Sequence, residues 1–317
     1  MHEPTIWIRK NGIAHAFSRE LGCDCRRCRT INFALTPPPR DLDSFPGWDD
    51  PPWRAHTSAS ILVGEPGDDV QGHVLLDCGA GVVDSLVCSG LNRLDSLSAL
   101  LITHWHPDHV LGINQLCEGL RRSVEGKGRV FEKVPVYCSL GTYNRLMERG
   151  GFRHEFGNFL LFHEVRPEVP FTVNAGAIQI CFAPLPVAHG RVHGAVIFVA
   201  SVGSKKVVFA WDIDVPSATV PNDTRTNQQV IDAHLRDSRP DLLFMATNTW
   251  RATGTGHTSY EQVRKYVDSI EAREVYLTHL SGHEDDGPGH GWTDAEWENA
   301  VRPDGIRVAR QGMVIRL

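Results

Sequence analysis

The apolar residues of this chain follow strand-like spacing in some regions and helical spacing in others. A continuous apolar run at residues 97–102, bounded by polar residues, is typical of a buried strand. Strand-like runs are frequent at residues 61–102, 171–211 and 241–247. Helical patterns are found at residues 110–122, 226–236 and 260–271. This order predicts an α/β fold in which two mixed β-sheets are packed between helices.

The composition is typical of one large domain, which we predict to span residues 1–317. The chain has 317 residues, 41% of them apolar, and its Gly and Pro residues are not clustered in a linker. No apolar run approaches the ~18 residues that a membrane span needs, and we find no secretory signal, so we expect a cytoplasmic protein without a membrane partner. The net charge of −6 argues against a broad nucleic-acid surface.

Candidate metal ligands crowd the segment that follows the strand at residues 97–102. In T103-H-W-H-P-D-H109, His104 and His106 alternate by two and point the same way in extended backbone, while Pro107 ends the strand. Asp108 and His109 come after the turn, where a helix that begins near residue 110 would direct them to a second point. Imidazole and carboxylate together are a typical ligand set for zinc, manganese or iron. The segment therefore predicts a site for two metal ions.

This segment resembles the H-x-H-x-D-H motif of the metallo-β-lactamase-fold hydrolases. Family members also carry an Asp followed by Gly at the end of an earlier strand, and Asp77 and Gly79 match that pattern. The resemblance implies a four-layer αββα sandwich with further ligands at strand ends, for which the chain offers His189, Asp212 and His279. His193 is an alternative to His189, and Asp214 is an alternative to Asp212.

The resemblance also implies how the ligands are divided between two divalent ions. His104, His106 and His189 are expected at one ion, Asp108, His109 and His279 at the other, and Asp212 as the bridge between them. Two such ions share a water molecule, lower its pKa toward neutrality and stabilise the charge that develops during hydrolysis. Asp108 is also a candidate for orienting this water. Zinc or manganese suits the ligands best, and iron and nickel are alternatives.

A cluster of cysteines predicts a structural zinc site in an N-terminal loop at about residues 22–30. In G22-C-D-C-R-R-C28, the thiols of Cys23, Cys25 and Cys28 lie in a polar, loop-like setting that suits tetrahedral zinc. Ahead of such a domain, this cluster is similar to that of the phosphodiesterase of the bacterial phosphonate-degradation operon, which acts on cyclic ribosyl phosphates. The resemblance implies a histidine as fourth ligand, for which His283 is the candidate and His290 the reserve.

A histidine in a glycine-rich loop is the candidate for proton donation to the leaving group. His257 follows Gly254 and Gly256, and Thr258 or Ser259 can cap a helix that begins near Tyr260. In the resembling phosphodiesterases and transfer-RNA 3′-processing enzymes, a histidine in such a loop contacts the phosphate or donates a proton. The resemblance therefore implies a catalytic role for His257.

Together these features predict a metal-dependent phosphodiesterase with a dinuclear metal centre. The expected substrate is a small phosphodiester, either a cyclic nucleotide or a ribosyl cyclic phosphate. An RNA-processing nuclease of the same fold competes with this prediction, although the acidic composition makes nucleic acid an unfavourable partner. A lactone or β-lactam hydrolase and a non-hydrolytic biosynthetic protein also remain compatible with the motifs. Assembly as a homodimer is left open.

Overall fold

Two mixed β-sheets form the centre of the molecule. The computed structural model describes residues 5–14, 55–64, 70–91, 96–125, 132–251, 257–280 and 290–317. The strands of the first sheet are β1 (Ile6–Gly12), β2 (Ser58–Val63), β3 (Gly72–Leu76), β4 (Leu97–Leu101), β5 (Val134–Cys138), β6 (Leu160–Glu164) and β14 (Val314–Arg316). Those of the second are β7 (Phe171–Ala175), β8 (Ile178–Pro186), β9 (Val196–Val202), β10 (Lys205–Ala210), β11 (Leu242–Ala246), β12 (Glu274–Thr278) and β13 (Ile306–Val308).

The two sheets have matching topologies that bring several strand ends to one edge. The first sheet has the order β14-β1-β2-β3-β4-β5-β6, and the second has the order β13-β12-β11-β10-β9-β8-β7. Strands β3 to β6 are parallel in the first sheet, as are β10 to β13 in the second. Ligands in open sheets of this kind bind beyond the carboxyl ends of parallel strands. The polar residues that follow these strands are therefore well placed to form a site.

Helices cover the outer face of each sheet. They are α1 (Val82–Cys88), α2 (Pro107–Val110), α3 (Ile113–Glu125), α4 (Leu140–Arg145), α5 (Arg153–Asn158), α6 (Asn227–Leu235), α7 (Tyr260–Ile270) and α8 (Asp294–Val301). A π-helical turn, Leu146–Gly150, continues α4, and a 3-10 turn, Arg302–Asp304, follows α8. Within the described ranges, no helix is long and apolar enough to cross a membrane.

Buried apolar residues form three layers, which confirm the predicted αββα sandwich. Between the sheets, Ile61 and Val74 pack with aromatic residues such as Phe198 and Phe209. Apolar residues of α1 and α3 pack against the outer face of the first sheet, and those of α6, α7 and α8 pack against the second. Because each sheet is apolar on both faces, each needs a cover on both sides.

The structure corrects two of the predicted element boundaries. The helix predicted at residues 110–122 is divided into α2 and α3, and α3 begins at Ile113. The first of them begins at Pro107, because proline fits the first helical position, where its missing N–H needs no partner. His106 is the N-cap, so Asp108 and His109 lie in the first turn of α2. The strand-rich region 61–102 also contains α1, which buries Val82, Val83 and Leu86 at helical spacing.

The predicted helix starts of the second half are confirmed. Thr226 caps α6 and Ser259 caps α7 through their side chains. In each case the third helical residue is a glutamine whose side chain returns to the backbone of the capping residue. This reciprocal arrangement satisfies amide groups that have no partner within the helix. At α7 it fixes the chain directly after His257.

Candidate metal centre

The predicted ligands meet at the common edge of the two sheets. His104 and His106 follow β4, His189 follows β8, Asp212 follows β10 and His279 follows β12, while Asp108 and His109 lie in α2. Each apolar strand thus carries one or two polar residues to its carboxyl end. Residues far apart in the chain are brought together because these strands end at the same edge.

Left-handed backbone conformations occur where strands reach this edge. Asp77 has a φ of 55°, Asp212 a φ of 58° and His279 a φ of 60°. Such conformations are uncommon for residues other than glycine, and each costs on the order of 1–3 kcal/mol. They persist only where the surrounding structure holds them in place. Their concentration at one edge is typical of a functional site.

The first group of candidate ligands consists of three histidines. Nitrogen atoms of His104, His106 and His189 lie within 4.8 Å of one another. Nε2 of His189 is 3.0 Å from Nδ1 of His106, so ring nitrogens of two histidines face each other. His104 and His189 are buried, and His106 is half-buried. This arrangement suits one metal ion with a side open to solvent.

The second group combines carboxylates and imidazoles. Ligand atoms of Asp108, His109, Asp212 and His279 lie within 4.8 Å of one another. Oδ2 of Asp108 is 3.2 Å from Nε2 of His109 and 3.1 Å from Nε2 of His279. Asp212 contacts both histidines and also approaches the first group, since its Oδ2 is 3.8 Å from Nε2 of His104. Its carboxylate therefore lies where a bridge between two ions would be needed.

Two ring nitrogens that face the cluster are left without hydrogen bonds. Nε2 of His104 and Nε2 of His109 are buried and make no hydrogen bond to the described part of the chain. Both lie close to the buried carboxylate of Asp212, which also contacts His279. Buried polar atoms without partners are strongly unfavourable, and a bound cation would satisfy them. The donor set thus fits divalent ions.

Asp77 holds ligands of both groups through a second layer of hydrogen bonds. Its Oδ2 lies 2.8 Å from Nδ1 of His109 and accepts a hydrogen bond from the Thr103 hydroxyl at 2.7 Å. Thr103 Oγ1 is in turn 3.1 Å from Nδ1 of His104. The Thr103 amide and the indole of Trp211 also donate to Asp77, at 2.8 and 2.6 Å. Such contacts fix the orientation of metal-binding imidazoles.

Two positioning residues, Trp211 and Asn248, were not predicted from the sequence. Oδ1 of Asn248 is 3.1 Å from Nδ1 of His279, which leaves Nε2 of that ring to face the cluster. Trp211 donates to Asp77 across 134 positions of the chain. The only signal in the sequence was position, because Trp211 precedes a ligand and Asn248 lies just beyond the end of β11. Nothing in the sequence says which polar side chains lie behind a ligand.

His257 lies beside Asp212 at the more exposed side of the cluster. Its Nδ1 is 3.5 Å from Oδ1 of Asp212, and its side chain is 22% exposed. Its ring centre is 5.2 Å from that of His189 and 5.7 Å from that of His279. His189, Asp212 and His257 also offer ligand atoms within 4.8 Å of one another. The position is within reach of a group bound at the metals, and the catalytic role stays a prediction.

Asp214 and His193, the alternative ligands, have surroundings that differ from those of the two ligand groups. Oδ2 of Asp214 accepts a hydrogen bond from the Gly190 amide at 2.8 Å, so this residue supports the loop that carries His189. His193 is exposed. Among the described residues, no potential metal-binding group includes either of them.

The predicted zinc ligands Cys23, Cys25, Cys28 and His283 lie outside the described residues, while the reserve candidate His290 is described and exposed.

At His104, His106 and Asp212, the electrostatic surroundings favour the protonation states that bind metals. Burial and neighbouring histidines lower the pKa of His106 to about 4 and that of His104 well below its usual value. Burial alone would raise the pKa of Asp212, but His279 and His109 outweigh it and hold this pKa well below the usual range. These imidazoles are therefore neutral and the carboxylate is ionised at neutral pH, as metal binding requires.

Metal binding is expected to strengthen as pH rises, because protons must leave His279 and His109. Burial alone would lower the pKa of His279, but Asp212 and Asp108 outweigh burial and raise it to about 9. The same two carboxylates outweigh burial at His109 and raise its pKa well above its usual value. At lower pH, a metal ion must displace these protons. We expect the Mn²⁺ affinity of chelator-treated protein to rise at least about tenfold per pH unit between about 7 and 8.5. Calorimetry in two buffers of different ionisation enthalpy measures both the affinity and the proton release, and pH-independent affinity without proton release would contradict the expectation.

The region that contains this cluster matches a known family. The profile described as "Beta-lactamase superfamily domain" matches residues 73–280, which include every candidate ligand from His104 to His279. The chain belongs to the β-lactamase superfamily. The sandwich described above is the metallo-β-lactamase fold of that superfamily, and this fold implies divalent metal ions at the ligand cluster.

Individual proteins resemble the chain at low sequence identity. It is 25% identical over 270 residues to an octanoyltransferase of Porphyromonas gingivalis, which covers 83% of this chain and only 43% of that protein. The chain thus spans less than half of that relative. It is 24% identical over 269 residues to ribonuclease Z of Methanothermobacter thermautotrophicus, covering 72% of this chain and 81% of that protein.

Solved structures support the same fold. A diphosphatase from the PhnP family superposes with a TM-score of 0.66 at 20% identity, covering 99% of this chain and 97% of that chain. Zn²⁺-bound PqqB from Methylobacterium extorquens superposes with a TM-score of 0.66 at 14% identity, covering 98% of this chain and 100% of that chain. At these identities the metallo-β-lactamase fold is what the chains share.

Proposed function

We propose that the chain is a metal-dependent phosphodiesterase that hydrolyses a small phosphodiester, such as a cyclic nucleotide or a ribosyl cyclic phosphate. The observation that carries this proposal is the position of Asp212, whose buried carboxylate contacts His109 and His279 of the second group and approaches His104 of the first. Paired divalent ions ~3.5–4 Å apart are typical of phosphatases and nucleases. Similar proteins named as a diphosphatase and as ribonuclease Z support a phosphate-containing substrate.

The chain's residues then have distinct tasks. The histidines of the first group and the mixed second group would each hold one divalent ion, and Asp212 would contribute to both. When bound, such ions lower the pKa of a water molecule and stabilise negative charge on the phosphate oxygens. Asp108, which is 7% exposed, orients the attacking water. His257 donates a proton to the leaving alkoxide from the partly exposed side of the cluster.

Replacing His257 with alanine is expected to affect substrates according to their leaving group. An alkoxide leaves with difficulty unless it is protonated, whereas p-nitrophenolate is stable as an anion. His257→Ala should therefore lower kcat on 2′,3′-cyclic AMP by about 10²–10⁴-fold and lower kcat on bis-(p-nitrophenyl) phosphate much less. Steady-state kinetics with metal content measured on the same samples provides the comparison.

A surface histidine provides the control for this variant. His154 is exposed in α5, and His154→Ala should leave turnover of both substrates near the wild-type value. An equal loss on both substrates in His257→Ala would assign His257 to metal binding rather than to proton donation. Near-wild-type turnover of the cyclic nucleotide with full metal content would remove His257 from the mechanism.

A substrate panel tests the proposed function against competing activities. If the chain is a phosphodiesterase, metal-loaded protein should turn over bis-(p-nitrophenyl) phosphate and 2′,3′-cyclic AMP. A chromogenic β-lactam and p-nitrophenyl octanoate test carbonyl substrates, the latter because one relative is named an octanoyltransferase. Failure on every phosphodiester by a fully loaded protein would overturn the proposal. Elemental analysis before the assay establishes loading and shows whether zinc, manganese, iron or nickel is retained.

An RNA-processing nuclease is the second candidate function. The similarity to ribonuclease Z over 72% of the chain favours it, since that relative is matched over most of its own length. The net charge of −6 disfavours it, because gripping an RNA backbone relies on many cationic side chains. Cleavage of a structured RNA at rates well above those of the small diesters would make this candidate the better description.

We also propose a structural zinc site formed by Cys23, Cys25, Cys28 and His283. Cys25→Ser is expected to lower the zinc content by about one ion per chain and to reduce activity, because the site would tie the N-terminal loop to the loop after His279. The matched control is Cys181→Ser, since Cys181 is a free, exposed thiol on β8. Unchanged zinc stoichiometry in Cys25→Ser, measured by elemental analysis, would remove the structural-site proposal.

A further inference from the structure

We propose that Asn11 and Ser58 form a buried link that positions Asp77 and, through it, the short helix α2 that carries Asp108 and His109. Neither Asn11 nor Ser58 was predicted to take part in the site. The link concerns the binding of metal ions, so it goes beyond the proposed function and does not depend on which ester is cleaved. Both are positioning residues, since they act on the ligands through Asp77.

Strand β1 carries three consecutive polar residues into the interior of the protein. Arg9 is 5% exposed, and Lys10 and Asn11 are fully buried. Neighbouring side chains of a strand point to opposite faces, so Arg9 and Asn11 share the outer face of the sheet and Lys10 faces the other sheet. Buried polar groups are costly unless they are hydrogen-bonded. Three of them in one strand make the contacts of this strand worth tracing.

Both faces of β1 lead to Asp77. Between the sheets, Nζ of Lys10 lies 4.3 Å from the centre of the Trp211 ring, and the indole N–H of Trp211 donates to the Asp77 carboxylate. On the outer face, Nδ2 of Asn11 donates to Ser58 Oγ at 3.1 Å, and Ser58 Oγ donates to the Asp77 carbonyl at 2.8 Å. The side chain and the backbone of Asp77 are thus both supported from the same strand.

The Asn11 amide is itself held in one orientation. Its oxygen accepts a hydrogen bond from the Arg9 guanidinium, which also donates to the Ser85 carbonyl of α1 at 3.2 Å. Its nitrogen donates to Ser60 Oγ at 2.9 Å as well as to Ser58. Because a guanidinium has only N–H donors, the amide oxygen must face Arg9 and the amide nitrogen must face the two serines. Ser58 therefore receives a hydrogen bond and keeps its own hydroxyl proton free to donate.

The peptide unit that Ser58 holds also holds a metal ligand. The Asp77 carbonyl and the Cys78 amide belong to one planar unit. Ser58 donates to the carbonyl end, and the N–H end donates to the His109 carbonyl at 2.7 Å. Asp77 has a left-handed φ of 55°, a conformation that persists only where surrounding contacts hold it. Rotation of this unit would disturb the backbone of His109 and also the carboxylate that contacts its ring.

The turn after Asp77 is in close contact with both ends of α2. An added Cβ at Gly79 would lie 1.8 Å from the Asp108 carbonyl oxygen, so the two backbones leave no space between them. The Gly112 amide, just beyond α2, donates to the Cys78 carbonyl at 2.8 Å. A displacement of Asp77 would therefore be passed to the ligands of the second group.

Two serines of β2 form a matched pair for testing the link. Ser58 and Ser60 are both fully buried on the same face of the strand, and both accept a hydrogen bond from Asn11. They differ in their other partner, because Ser60 pairs with Nε2 of His73 at 2.7 Å and Ser58 with the Asp77 carbonyl. Ser58→Ala and Ser60→Ala each remove one buried hydroxyl, so the urea midpoints of unfolding should fall by similar amounts.

The Mn²⁺ affinity of the two variants should differ. Calorimetric titration of the chelator-treated full chain at one pH is expected to show a fall of about tenfold in Ser58→Ala and a change within about twofold in Ser60→Ala. An unchanged affinity in Ser58→Ala, or an equal fall in both variants, overturns the link. The comparison needs no substrate, so a failure of the phosphodiesterase proposal would leave it intact, and turnover of phosphodiesters would not rescue it.

Asn11→Asp tests the first half of the link. A carboxylate still accepts from Arg9 and is paired by its charge, so the fold should be retained. It has no N–H for Ser58, and it would attract the Ser58 hydroxyl away from the Asp77 carbonyl. We expect the Mn²⁺ affinity to fall about as far as in Ser58→Ala.

The double variant Asn11→Asp/Ser58→Ala completes the cycle. Both changes break the same chain of contacts, so its Mn²⁺ affinity should lie within about twofold of that of either single variant. An affinity loss equal to the product of the two single losses, or an unchanged affinity in Asn11→Asp alone, overturns the link.

Discussion

Asp212→Asn is expected to reduce turnover of bis-(p-nitrophenyl) phosphate on the order of a thousandfold. Asp212 Oδ1 lies 3.2 Å from Nε2 of His279, and the same carboxylate contacts His109 and approaches His104. An amide has the same shape but only one oxygen and no charge, so it bridges two cations poorly. Initial rates and metal content, measured on one preparation, show whether activity and the second ion are lost together.

Asp214→Asn is the matched control, because Asp214 lies two residues further on and was the alternative bridge. Its Oδ2 accepts the Gly190 amide, and its Oδ1 is 3.7 Å from Nδ1 of His189. An amide oxygen can still accept that hydrogen bond, so we expect a loss of about tenfold or less. A larger loss in Asp214→Asn than in Asp212→Asn would reverse the assignment of the bridge. Circular dichroism on both variants confirms that the fold is retained.

Asp77→Ala is expected to weaken metal binding at both sites and to lower the free energy of unfolding by about 3–5 kcal/mol. Its carboxylate is fully buried and receives the Thr103 amide and hydroxyl, the Trp211 indole and Nδ1 of His109. Removing it leaves those donors without an acceptor, and the orientation of His109 and, through Thr103, of His104 is lost. We expect metal affinity to fall about 10–100-fold at each site.

Two further variants distinguish the loss of stability from the loss of metal affinity. Asp77→Asn should destabilise less than Asp77→Ala, because asparagine keeps one oxygen and tolerates the left-handed backbone at this position. Asp241→Asn is the control, since Asp241 accepts the Lys206 amide at 3.0 Å away from the ligand cluster and should leave metal affinity unchanged. Urea unfolding and metal titrations provide the two readouts. A loss of stability with unchanged metal affinity would limit Asp77 to a role in folding.

The sequence predicted the ligand-bearing strand ends because their signal is local. An apolar strand followed by His104 or Asp212 is visible in a short window, and the order of strands and helices indicates the sandwich. The predicted helix start near residue 110 was wrong by a few residues, because the same proline that ends a strand also suits the first turn of a helix. Local patterns do not choose between these two roles.

The second layer of the site could not be predicted, because it depends on contacts between distant residues. The bond from Trp211 to Asp77 spans 134 positions, and that from Asn248 to His279 joins the ends of two neighbouring strands. Tryptophan at such a position is as well explained by the core, which Trp211 also fills.

Anomalous diffraction from crystals of chelator-treated protein soaked in Mn²⁺ tests the dinuclear centre most directly. The expected result is two manganese peaks ~3.5–4 Å apart at the edge of the sheets, both in contact with the carboxylate of Asp212. The ion of the first group should contact His104, His106 and His189, and that of the second should contact Asp108, His109 and His279. A single peak at saturating Mn²⁺, or two peaks without Asp212 between them, would contradict the proposed two-metal hydrolytic centre.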